Sequence, residues 1–87
     1  MKPSIQNKIK RIYPKLKKLI ENNELDGCKI KINDHFCKFG CVNKELHLFD
    51  YTGLAIINGK EVRKYLLKNI KSEEEILQLE KIIIQNL

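Results

Sequence analysis

The 87-residue sequence predicts a single α+β domain: an N-terminal helix, a three-stranded antiparallel meander with room for a short fourth strand, and two C-terminal helices. Three observations carry this prediction. Residues 5–19 place isoleucine and leucine at helical spacing, residues 28–51 alternate apolar and polar side chains between two turn pairs, and residues 58–87 contain two successive helix-start patterns. A chain of this length builds one modest core and no second domain.

Taken in order, Ser4 is placed to cap a helix whose Ile5, Ile9, Ile12, Leu16 and Leu19 alternate spacings of four and three and so form one stripe. Pro14 falls opposite that stripe, where it removes a backbone hydrogen bond and is expected to kink or split the helix on its solvent side. Lys8, Arg11, Lys15 and Lys18 make a second stripe, with Lys10 and Lys17 on the far flank. This stripe is either a phosphate-contacting face or simply a solvated one. The segment ENNELDG, residues 21–27, then ends the helix with Asn and Gly.

In the meander, Asp34-His35 and Asn43-Lys44 are the candidate two-residue loops. They set Cys28 opposite Cys41, Cys41 opposite Leu46, and Ile30, Phe39 and Leu48 in the next row of one apolar face, followed by Ile32, Cys37 and Asp50. The other face carries Lys29, Lys31, Lys38 and His47 among Phe36, Phe49 and Tyr51. Aromatic rings stack on splayed bases and lysines neutralise phosphate, so this face suits a single strand if it is open; if a helix covers it, the rings form a second core layer.

Thr52-Gly53 marks a turn, and Leu54 to Ile57 fits either a fourth strand or one helical turn. Asn58 and Glu61 have capping-box spacing before a helix that turns Val62, Leu66, Ile70 and Tyr65 inward and Lys60, Arg63, Lys64, Lys68 and Lys71 outward. Ser72 and Glu75 repeat the device, and Glu73, Glu74 and Glu75 occupy the first turn of a helix over 73–86, where the dipole favours acids. Its Ile76, Leu77, Leu79, Ile82, Ile83, Ile84 and Leu87 cover more than one stripe, so either it is central to the core or its second face meets another subunit. A homodimer through this helix is the expectation.

The formal charge of +6 is unevenly distributed. Residues 1–20 hold seven Lys or Arg and no acid, and residues 51–71 hold five against one, whereas 72–87 hold one against four. With a pI near 9.3 this clustering favours an anionic partner, nucleic acid first, then an acidic protein or membrane surface, against the plain alternative of a Lys- and Ile-rich proteome. No apolar run approaches a membrane span or a secretory signal, so the expected location is the cytoplasm, with three reduced cysteines and no membrane contact. Small buried hydrophobes are the expected role of Cys28 and Cys41.

Three further constellations carry possible chemistry. A zinc site from Cys28, His35, Cys37, Cys41 and His47 lacks any Cys-x-x-Cys pair and draws ligands from both faces of the sheet, so neither a metal nor another cofactor is expected. A cysteine nucleophile needs a neighbouring His or helix N-terminus to lower its pKa, which mid-strand cysteines facing a core lack. A helix-turn-helix within Thr52 to Ile70 has Ala55 and Gly59 at suitable separation, but its first helix is barely a turn long.

The order helix, three strands, helix, with Gly59-Lys60, Arg63 and Lys64 opening the helix after the sheet, resembles in topology the double-stranded-RNA-binding domains. Those domains read A-form shape through phosphate and 2′-hydroxyl contacts. The sequence therefore points to a small basic protein that is not an enzyme and binds nucleic acid in a regulatory or architectural role. Lys8, Arg11, Lys15 and Lys18, or Lys60, Arg63, Lys64 and Lys68, would contact phosphate, and Phe36, Phe49 and Tyr51 would stack. The alternative is a small inhibitor or immunity-type protein, of the kind that phage-encoded anti-CRISPR proteins represent, acting on a nucleic-acid-processing protein through its aromatics and C-terminal apolar face.

Overall fold

A computed structural model describes residues 4–50 and 56–87. Its elements are α1 (Ile5–Asn22), β1 (Cys28–Ile32), β2 (His35–Val42), β3 (Glu45–Asp50), β4 (Ile56–Asn58), α2 (Gly59–Asn69) and α3 (Glu73–Gln85). The expected α+β architecture is present, with the short fourth strand included. The strands form an antiparallel sheet in the order β1-β2-β3-β4. All three helices pack on one face: α1 touches β2 and β3, with α2 on one flank over β3 and β4 and α3 on the other over β1.

α1 begins as expected, its Ser4 hydroxyl accepting the Asn7 amide at 3.1 Å. It runs unbroken through the exposed Pro14, so the expected split does not occur. The buried stripe also corrects the expected one. It follows Ile9, Ile12, Tyr13, Leu16 and Ile20, because Tyr13 and Ile20 complete a 4-3-4 spacing from Ile9 that leaves Leu19 at the margin. The stop is a Schellman-type turn: Glu24 takes φ 49° and the Leu25 amide donates back to the Ile20 carbonyl at 3.0 Å. Gly27, at φ 81°, serves the following bend instead.

The second hairpin has the expected register, Cys41 opposite Leu46, around Asn43-Lys44 at φ 53° and 64°. The first is offset. Its loop is Asn33-Asp34, at φ 52° and 63°, so Cys28 faces Phe39 rather than Cys41, Ile30 faces Cys37 and Ile32 faces His35. Two consecutive left-handed residues define a type I′ turn, and Asn-Asp meets that demand better than Asp-His. Moving the loop by one residue shifts the pairing by two, which preserves the faces, so Ile30, Ile32, Cys37, Phe39, Leu46 and Leu48 still line the buried side.

Ile56–Asn58 is strand paired to His47–Phe49, so the helix-turn-helix reading lacks helical backbone there. The Thr52-Gly53 turn, Leu54, Ala55 and Tyr51 lie outside the described residues. Asn58 stands at the N-cap of α2 without a side-chain cap bond, contrary to the expected capping box. The Glu45 carboxylate of β3 accepts the Gly59 amide instead, at 3.1 Å. A side chain at 59 would displace it, since a Cβ there would lie 3.0 Å from Glu45 Oε1. The box does form at α3, where Ser72 and Glu75 satisfy each other.

Phe39, Leu16, Leu66 and Leu79, one from each major layer element, are fully buried at the centre, and no polar or charged side chain is buried among the described residues. α3 also seals the β1 edge. The Gln78 amide accepts the Lys31 N–H at 2.7 Å and donates to the Lys31 carbonyl at 2.8 Å, standing in for a further strand. Glu75 accepts the amides of Asn33, Lys71 and Ser72 as well. Burial opposes its charge, but these donors outweigh burial and hold the carboxyl below the usual glutamate range.

Candidate nucleic-acid interface

The helical layer carries the larger basic surface. On α1 the side chains of Lys10, Arg11, Lys15 and Lys18 are exposed, and on α2 those of Lys60, Arg63, Lys64 and Lys68. The two helices adjoin: the Tyr13 hydroxyl of α1 donates to the Gly59 carbonyl at the start of α2, at 2.9 Å. Arg63 sits close enough for its charge to act on the same phenol. Burial, then Glu21, push the Tyr13 pKa up to about 12, with Arg63 opposing and Glu45 adding to the rise. The Tyr13–Gly59 bond thus pins together the helices that carry the two cation rows.

Salt bridges sort the cations. Lys8 is held by both oxygens of Glu73 at 2.8 Å, and Lys17 by Glu21 at 2.8 Å. Lys31 has a distant contact with Asp34 at 4.0 Å. Among the described residues no other Lys or Arg forms an ion pair, so the eight exposed cations of the two helices, the α1–α2 ridge, stand without an acidic partner there. Glu61 is the one acid on the exposed side of α2. Lys8, expected among the phosphate contacts, is therefore tied to α3, while Lys10, assigned from sequence only to a far flank, lies on the side of α1 that Tyr13 turns toward α2. The wheel position of Lys10 was legible; which flank faces α2 was not.

The outer face of the sheet is the second basic surface, and no helix among the described residues covers it. Lys29, Lys31 and Lys38 are exposed there, Phe36 is 55% exposed, and His47 and Phe49 are half-buried. The Lys31 ammonium lies 5.4 Å from the Phe36 ring centre and that of Lys38 lies 5.9 Å from Phe49, both within cation–π range. His47 stacks on Phe49 with centroids 6.2 Å apart. Gly40 makes room for this arrangement: a Cβ there would lie 2.8 Å from the Phe49 ring and 2.5 Å from Asp26 Oδ1. The two basic surfaces occupy opposite sides of a two-layer domain.

Two of the thiols are held in their protonated form. Burial, with Asp50 adding to it and Tyr65 opposing, pushes the Cys37 thiol up, and burial followed by Asp26 does the same for Cys28. All three cysteines are free. Among the described residues no three His, Cys, Asp or Glu side chains converge to hold a metal ion, and no helix is long and apolar enough to cross a membrane. The surplus apolar side of α3 is exposed, with Leu77 at 51% and Ile84 at 69%.

No family model matches the chain, and no curated protein and no solved structure is significantly similar to it.

Proposed function

We propose that this chain is a small basic nucleic-acid-binding protein, not an enzyme, that grips the phosphate backbone with the α1–α2 ridge in a regulatory or architectural role. The observation that carries the reading is the ridge itself: Lys10, Arg11, Lys15, Lys18, Lys60, Arg63, Lys64 and Lys68 are exposed on two adjoining helices with no ion pair to any described residue. Keeping so many like charges together costs electrostatic free energy that a polyanion recovers by releasing its condensed counterions. Phosphate contacts position a protein without reading sequence, so affinity from this ridge is broad across sequences. Three free thiols, two with raised pKa, suit a reducing cytoplasm.

The test is a salt titration of binding to a short DNA or RNA duplex. If five or six ridge cations meet phosphate, the plot of log affinity against log salt falls with a slope of about −5. Affinity independent of salt overturns the reading.

A second reading is favoured by the exposed Leu77 and Ile84 on α3: this face docks a second copy of the chain or a nucleic-acid-processing protein that the chain inhibits. It predicts that Leu77→Glu disrupts the partnership while loss of the α1 lysines is tolerated.

A further inference from the structure

We infer that the open face of the sheet is a second site, specific for unpaired nucleic acid, and that one molecule can hold a duplex on its helices and a single strand on its sheet. The inference extends the nucleic-acid reading but stands on different residues.

Three features of this face point to a single strand. First, Phe36 and Phe49 lie on neighbouring strands in diagonal positions: Phe49 pairs with Lys38, two residues along β2 from Phe36. Diagonal neighbours on one face are about 7–8 Å apart, roughly twice the ~3.4 Å step of stacked bases, so bases landing on both rings must already be splayed. A duplex cannot offer them. Second, the two rings differ in exposure. Phe49 is fixed over Gly40 between Lys38 and His47, while Phe36 stands 55% exposed. Phe49 is a preformed platform, and Phe36, with the Lys31 ammonium 5.4 Å from its ring centre, presents an exposed ring beside it. Third, Lys29, Lys31 and Lys38 surround the rings, with Lys29 directly opposite Lys38 across the β1–β2 pair. Like charges facing each other across strands are unfavourable alone and are relieved by a phosphate between them. Rings for bases and cations for the backbone are the two parts that sequence-tolerant single-strand binding needs.

Because the helices cover the other face, a strand on the sheet does not compete for the ridge. Such a protein would bridge unpaired and paired segments.

The test uses fluorescent ten-nucleotide dT and U oligomers, with and without a saturating unlabelled duplex. Phe36→Ala removes an exposed ring that the core does not need and is expected to weaken oligomer binding about tenfold or more while leaving duplex binding unchanged. Lys29→Gln with Lys38→Gln should reduce the oligomer salt slope by about 1.4. Saturating duplex should leave oligomer affinity intact. The inference is overturned if neither oligomer binds, if Phe36→Ala keeps its affinity within twofold, or if duplex displaces the oligomer. Absence of duplex binding beside a Phe36-dependent oligomer would remove the ridge reading and the bridging with it, and leave the single-strand site on the sheet standing.

Discussion

Replacing Lys15, Lys18 and Arg63 with Gln, against a control that replaces Lys8 and Lys17, separates cations available to a ligand from cations already committed within the fold. The first three are exposed and form no ion pair among the described residues. Each phosphate contact contributes about 0.9 to the salt slope on a duplex, so the triple variant should lower it by about 2.7. Binding should weaken alike for every duplex sequence, because phosphate carries no sequence information. In the control, both ammonium groups lie 2.8 Å from carboxylates, so neither is free to release counterions from DNA. The control should keep the wild-type slope and lose stability instead, about 0–1 kcal/mol for the exposed Lys8 pair. Fluorescence anisotropy with a labelled duplex between 25 and 300 mM salt, on a logarithmic scale, measures both slopes. Equal loss of slope in the two variants would refute the assignment, since paired and unpaired cations would then contribute alike.

Other consequences concern the frame that holds the ridge. Tyr13→Phe deletes the bond to the Gly59 carbonyl and should cost about 1 kcal/mol in urea unfolding at pH 7. The tyrosine holds its proton more tightly when folded, up to about pH 12 against an ordinary value of 10.0. Its contribution is therefore whole below pH 10 and lost as pH rises toward 12, so near pH 11 wild type should forfeit about 1.4 kcal/mol that Tyr13→Phe keeps and the two melts should converge. Glu45→Ala should destabilise by about 1 kcal/mol, because Glu45 and not Asn58 caps α2, whereas Asn58→Ala should change thermal stability by only a few tenths of a kcal/mol. The reverse order would restore the capping box. Lys44→Gly should raise the melting temperature, since Lys44 holds φ 64° in a type I′ turn that favours Asn-Gly, with a gain of about 0.5–1 kcal/mol.

What the sequence made legible and what it hid divide along the range of the interactions. Ser4, the Ser72–Glu75 box and the Asn43-Lys44 turn are satisfied within three or four residues, so local chemistry was enough to find them. The first hairpin was ambiguous because sliding its loop by one residue shifts the pairing by two and leaves the apolar face intact. Asn58 misled because its partner was expected three residues on, while the carboxylate that takes the Gly59 amide comes from Glu45, on the neighbouring strand β3. The same holds for the site. Helical spacing found the lysines, but only packing revealed that Lys8 reaches Glu73, that α2 lies on the Tyr13 side of α1 and that no helix among the described residues covers the Phe36 and Phe49 face. The separation of the two basic surfaces follows from which way α1, α2 and α3 fold back on the sheet, and no local pattern encodes that.

The most direct test of the ridge as a phosphate-binding surface is an amide NMR titration of the ¹⁵N-labelled protein with a short duplex at low salt. The account predicts shifts concentrated at residues 10–18 of α1 and 60–68 of α2, reversed by added salt, with α3 and the outer strands unmoved. Shifts confined to α3 around Leu77 and Ile84, or none at any salt concentration, would contradict it.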